Sequence, residues 1–181
     1  MVKIVQKEDP VLRQKAKAVP MDMFGKAELK KVLKDMKSAL AKEDDGVAIA
    51  APQIGVSLRI FVVSGKVMEM LHPEDAKEDI KGEVKKQKKY PDLVFINPEI
   101  IKLSQEKEIL EEGCLSVRYL YGKIERAKKA KVRALDEKGK EFEMGTSGLL
   151  AQIFQHETDH LDGKLFIDSA TDIENWPPDD M

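Results

Sequence analysis

The sequence predicts an α+β fold: mostly antiparallel β-sheets around a central metal-binding helix, with an amphipathic helix nearer the N-terminus. Three observations predict it. Residues 26–43 place Leu29, Val32, Leu33, Met36 and Leu40 at helical spacing, with lysines and acids between them. Residues 58–63 and 93–97 are β-branched runs that read as strands, and residues 131–135 and 140–143 flank Asp136-Glu137-Lys138-Gly139 as a hairpin. Finally, Gln155-His156-Glu157-Thr158-Asp159-His160 puts two imidazoles four residues apart, on one face of a helix, where both reach one metal ion.

Taken in order, the first helix ends at Asp44-Asp45-Gly46, and residues 47–55 follow as a small, apolar segment with a proline. Pro98 is expected to stop the strand at 93–97. Gly145-Thr146-Ser147-Gly148 supplies a helix start with Thr146 or Ser147 as cap, and Gly163 a C-terminal stop. On that helix Leu149, Ile153, His156 and His160 form one stripe, and Leu150, Phe154, Glu157 and Leu161 its neighbour. The chain reads as one domain over residues 1–181. Residues 65–92 form a long surface insertion with a short helix near its start, and residues 169–181 a short acidic tail.

The 181 residues suffice to bury a core without disulfides. A formal net charge of −2 argues against a protein devoted to DNA or other nucleic acid. Residues 81–89 carry five lysines and residues 123–133 six basic residues; both runs read as solvated faces, the alternative being a dock for something anionic. No apolar run has signal-peptide or membrane-span length, so no membrane partner is expected and the cytoplasm is the expected location. A single cysteine excludes an intrachain disulfide and suits a reducing compartment.

Two histidines do not complete a catalytic metal site, which uses three protein ligands and an open position. A metzincin would have a third histidine where this chain has Phe166, and a thermolysin-like enzyme a downstream glutamate where only Glu174 remains, in the acidic tail. Cys114, in Glu111-Glu112-Gly113-Cys114-Leu115-Ser116, is the other candidate: a soft third ligand, or else a small buried apolar residue. Glu157, next to the first histidine, is placed to accept a proton beside the open position.

Residues 46–53, the segment Glu112-Gly113-Cys114-Leu115-Ser116 and the helix motif through Leu161 resemble the three signature segments of the peptide deformylases, and Asp9-Pro10-Val11-Leu12-Arg13 is similar to that family's opening segment. The resemblance covers about residues 4–168. It implies a hydrolase that removes the formyl group from N-formylmethionyl peptides, with Cys114, His156 and His160 as metal ligands and Glu157 as the proton-transferring residue. Gln53 and the backbone N–H of Leu115 would stabilise the oxyanion. Val47, Ala48, Leu149 and Ile153 would border the methionine, Gly46 would also bind the substrate, and Gly113 and Tyr121 would lie along the peptide backbone. The implied metal is iron(II) (Fe2+), with Ni2+, Co2+ or Zn2+ able to take the same ligands. A bacterial-type origin is expected, and a processed organellar form or a phage-encoded copy would look the same.

The chain departs from the family pattern at Ala48, where a second glycine is usual, and at Arg118-Tyr119, where a proline and a glycine are common. Residues 65–92 exceed those of compact members, and the long C-terminal helix used by some members on the ribosome is not expected in residues 169–181. Ribosome docking near the exit tunnel would then fall to lysines such as Lys85, Lys86, Lys88 and Lys89. A generic zinc peptidase and a metal-stabilised binding module are the rival readings; the module would be expected to have lost Glu157, Gln53 or a ligand, and all are present.

Overall fold

The computed structural model describes residues 2–73 and 89–177, so Lys85, Lys86 and Lys88 and the last four residues of the acidic end lie outside the described residues. It contains three α-helices, α1 (Ala27–Leu40), α2 (Gly65–Leu71) and α3 (Gly148–Leu161), among the described residues. The strands are β1 (Ala48–Ala50), β2 (Ile60–Val63), β3 (Leu93–Leu103), β4 (Lys107–Gly113), β5 (Leu120–Ala127), β6 (Lys129–Leu135), β7 (Glu141–Ser147) and β8 (Thr171–Asn175). They form a five-stranded sheet in the order β1-β2-β3-β6-β7 and a three-stranded sheet in the order β4-β5-β8, each antiparallel throughout. This is the predicted α+β class.

The larger sheet is covered on both faces, which is why β2 reads as an unbroken apolar run. Phe61 and Val63 pack with Leu150, Ile153 and Phe154 of α3. Ile60 and Val62 turn the other way, toward Leu29, Leu33 and Met36 of α1. Phe61 stacks on Phe95 at 4.5 Å between centroids, and Phe154 meets Phe95 edge-on at 5.1 Å. Burying such side chains contributes about 1.5–3 kcal/mol each. A third cluster of Leu12, Val117, Ile124, Leu165 and Phe166 lies beneath the smaller sheet.

Several expected boundaries move. The helix read over 26–43 ends at Leu40, because the chain tightens there: Lys42 N–H and Glu43 N–H bond to the carbonyls of Ala39 and Leu40. A Cβ on Gly46 would come within 2.9 Å of Leu40 Cδ1, so the turn is closed by close approach. Pro98 does not stop β3. The pairing with β6 shifts register between Ile96 and Glu99, and the missing proline N–H falls in that irregularity. Asn97 adopts φ 51° there, and its side-chain amide holds Val19 by N–H and C=O, at 2.7 and 2.9 Å. The cap of α3 is Ser147, but no side-chain cap bond forms. Where the sequence shows only an acidic tail, residues 171–175 pair with β5 as β8.

Two polar devices fix α3 relative to the sheets. Gln155 exchanges both amide bonds with the backbone of Ala127, at 2.9 and 3.0 Å, and its Nε2 also donates to Ala151 O. At the other end Arg59 Nη1 donates to Leu161 O and to Asp162 Oδ1, meeting the last carbonyls of the helix with a cation. Gly163 follows at φ 74°, as a helix stop in the left-handed region requires.

Candidate metal centre

Helical geometry brings the two imidazoles of α3 together with ring centroids 5.0 Å apart. The end of β4 then delivers Cys114 to them. Cys114 Sγ lies 3.2 Å from His160 Nε2, and the ligand atoms of Cys114, His156 and His160 all fall within 4.8 Å of one another. Tetrahedral coordination by one sulfur and two nitrogens calls for separations of about 3.4–3.6 Å. The three residues therefore fit a divalent ion with small adjustment. The donor set, one soft sulfur and two imidazoles, suits zinc, iron or nickel and not calcium or magnesium.

The shell behind the ligands is built for that task. His156 Nδ1 lies 2.8 Å from Glu112 Oε2, which leaves Nε2 toward Cys114 and fixes the ring. Glu112 is in turn gripped by Arg126, with Nε to Oε1 at 2.8 Å and Nη2 to Oε2 at 2.9 Å. Arg126 Nη1 reaches Asp159 at 2.7 Å, tying the fork to α3 itself. Burial alone would raise the Glu112 carboxyl, but His156 and Arg126 outweigh it and hold it at about 2. Burial also opposes charge on both imidazoles. On His156 the neighbouring Cys114 and Glu112 prevail and push its pKa well up, whereas His160 is pushed well down by burial and by His156.

A cavity of about 290 Å³ beside these ligands is lined by Glu157 and Gln53 and by Gly46, Val47, Ala48, Gly113, Cys114, Leu115, Tyr121, Leu149, Ile153 and His156. His160 lies behind it, 1% exposed. Burial pushes the Glu157 carboxyl up to about 7, and its Oε2 is one of two buried side-chain polar atoms without a partner among the described residues, the other being His160 Nδ1. Buried polar atoms without partners are costly, and they cluster where a ligand or ion is to be met.

Gln53 is oriented by its own backbone surroundings. Its Oε1 accepts from Ala50 N–H at 2.8 Å, so Nε2 points toward Ser116 Oγ at 3.2 Å and Cys114 Sγ at 3.6 Å. The Leu115 peptide is held from behind by Gln6 Nε2, which donates to Leu115 O at 3.1 Å. Gly113 has no room for a side chain: a Cβ would come 2.6 Å from the Tyr121 ring. Ala48 pairs with Val63 and is buried in the cavity wall. Arg118 bonds Glu43 at 2.6 Å and Asp45 at 2.7 Å, joining the two sides of the mouth.

Sequence reasoning missed Glu112, Arg126, Asp159, Gln155 and Arg118 as parts of this site. For Arg126 a signal existed. Gly122, Ile124 and Arg126 alternate with Lys123 and Glu125, and the strand buries the first set.

A family model described as polypeptide deformylase matches residues 1–176. A peptide deformylase of Pseudothermotoga lettingae is 43% identical over 161 residues, covering 88% of this chain and 77% of the relative. Among solved structures, a peptide deformylase from Legionella pneumophila superposes with TM-score 0.73 at 39% identity, covering 94% of this chain and 86% of that one. A class I type b peptide deformylase from Acinetobacter baumannii, solved with Met-Ala-Ser bound, superposes with TM-score 0.76 at 30% identity, covering 93% and 97%. No helix among the described residues is long and apolar enough to cross a membrane.

Proposed function

The chain belongs to the polypeptide deformylase family, an enzyme family that removes the N-formyl group from nascent peptides, and from that premise we propose which residues of this chain carry the reaction. Cys114, His156 and His160 are assigned as the metal ligands, with iron(II) as the native metal. The observation that carries the assignment is the convergence of one sulfur and two imidazoles within 4.8 Å, beside the cavity that Gln53 and Glu157 line. A divalent ion bound there supplies Lewis acidity, polarising the formyl carbonyl and making water a usable nucleophile at neutral pH.

The chain's own groups do the rest. Glu157 takes the proton of the attacking water on its unpartnered Oε2 and returns it to the leaving methionine nitrogen. Its burial, which raises the carboxyl to about 7, suits both halves of that transfer. Gln53 Nε2, fixed by the Ala50 N–H, and the Leu115 N–H donate to the oxygen that gains charge. Val47, Ala48, Leu149 and Ile153 border the methionine side chain, and Gly46, Gly113 and Tyr121 flank the peptide backbone. Burial of the methionine side chain in such a pocket contributes about 1.5–3 kcal/mol.

The test is formate release from formyl-Met-Ala-Ser by protein purified anaerobically, with metal analysis alongside. The wild type should hold one iron per chain and turn the peptide over. Cys114→Ser should lose most of its metal and its turnover together, because a hydroxyl is a far poorer soft ligand. Full metal occupancy in Cys114→Ser would remove Cys114 from the ligand set.

A ribosome contact through Lys85, Lys86, Lys88 and Lys89 belongs to the same reading, supported by the charge of that segment alone. Reversing those four charges should abolish sedimentation with ribosomes at low salt; unchanged sedimentation would discard the contact.

A further inference from the structure

We propose that Arg118 is a positioning residue: its guanidinium, bonded to Glu43 and Asp45, fixes the spacing of the two chain segments that flank the substrate and so sets substrate affinity. This rests on the deformylase reading, and it gives a role to a position where the chain departs from the family pattern.

The two segments come from distant parts of the sequence. Residues 43–46 form the turn that leads into β1, closed by Gly46 N–H donating to Glu43 O at 3.1 Å. Residues 114–118 form a second turn after β4, in which Val117 N–H donates to Cys114 O at 3.0 Å. Asp45, Gly46 and Val47 line the cavity from the first side, and Leu115, Val117 and Arg118 from the second. The substrate is assigned to Gly46 and Val47 on one side, while the Leu115 N–H stands on the other. Among the described residues no backbone hydrogen bond joins residues 43–46 to residues 114–118, so the polar link between them is made by side chains.

Arg118 supplies that link. Its Nη2 donates to Glu43 Oε2 at 2.6 Å and its Nη1 to Asp45 Oδ2 at 2.7 Å, so one planar fork spans two carboxylates. The Arg118 side chain is 23% exposed, so water competes less than at an open surface pair. Charge-assisted bonds of this length fix direction as well as distance. The backbone of the same turn has a separate anchor. Gln6 Nε2 donates to Leu115 O at 3.1 Å, and Gln6 Oε1 accepts from Arg118 N–H at 3.4 Å. Removing the guanidinium therefore loosens the spacing between the segments and leaves the turn that carries the Leu115 N–H in place. The loss falls on KM, with kcat largely kept. Because the guanidinium is already paired with both acids, it acts on the substrate through Gly46 and Val47 and not through a bond to the peptide.

The test is a mutant cycle on the metal-loaded, full-length protein: Arg118→Met, Glu43→Gln with Asp45→Asn, and all three together. Formate release would be followed with formyl-Met-Ala-Ser and with its C-terminal amide, which has no terminal carboxylate for a guanidinium to meet. Arg118→Met should raise KM about threefold to tenfold on both peptides, with kcat within about twofold of wild type. On the amide, the double variant should raise KM by a similar factor, and the triple variant by no more than the larger of the two, since all three remove one linkage. In Arg118→Met hydrogen exchange should quicken at residues 43–48 and 115–120 and stay unchanged in β2 and β6. Factors that multiply in the triple variant, an effect confined to the free-acid peptide, or an unchanged KM beside a lowered Tm would overturn the proposal. No formate from the wild type would count against the deformylase reading instead, and local hydrogen exchange would still decide whether Arg118 holds the two segments together.

Discussion

Replacing Glu157 with alanine should lower the turnover of formyl-Met-Ala-Ser by about 10²–10⁴-fold, the usual contribution of a positioned acid–base group. Metal content should be retained, because Glu157 is not among the three residues whose ligand atoms converge. The same carboxylate should be a burden on the fold. It is 4% exposed, burial raises its pKa to about 7, and Oε2 has no partner among the described residues. Leaving such an atom unsatisfied costs about 1–3 kcal/mol. Glu157→Leu, which removes the polar group at similar volume, should therefore raise the thermal midpoint of the metal-free protein while abolishing turnover. A group kept at the expense of stability is expected where the chemistry needs it. Turnover within tenfold of wild type in Glu157→Ala would show that proton transfer belongs elsewhere.

The legible parts of this molecule are those that depend on local spacing. Two histidines four apart on a helix need no tertiary information to share a face, and the amphipathic stripe of α1 is equally local. Cys114 is less legible: a lone thiol is ordinary until β4 carries it to 3.2 Å from His160, a contact 46 residues away in sequence. Residues 107–127 show no turn signal strong enough to divide them, and they fold into β4 and β5 through their mutual register. The basic run at 123–133 divides on the same grounds. Lys123 and Lys128 lie outward in ion pairs with Asp172 and Glu106, as a solvated face would. Arg126, between them, turns inward and is 8% exposed, since strand alternation decides its direction rather than composition. Pro98 misled for a related reason. A proline ends a strand only where its N–H is needed, and the register shift beside Asn97 removes that need.

Arg126→Ala should cost about 3–5 kcal/mol of stability, because it leaves Glu112 buried with its charge uncompensated on one side. For a chain of this length that corresponds to a fall of roughly 6–20 °C in Tm. Metal affinity should also drop, by about 10–100-fold, since Glu112 sets the orientation of His156. The two losses are separable. Replacing the pair together, Arg126→Met with Glu112→Leu, removes both charges and should restore much of the stability, as apolar replacements of buried ion pairs do. It cannot restore the acceptor at His156 Nδ1, so metal affinity should stay low. Thermal unfolding of the metal-free forms and competition against a chromophoric chelator would measure the two effects independently. If the double variant recovered metal affinity along with Tm, the Glu112–Arg126 fork would be a packing device for β4, β5 and α3. If stability returned and affinity did not, its function would be to aim one imidazole, with the fold bearing the cost of a buried charge to do so.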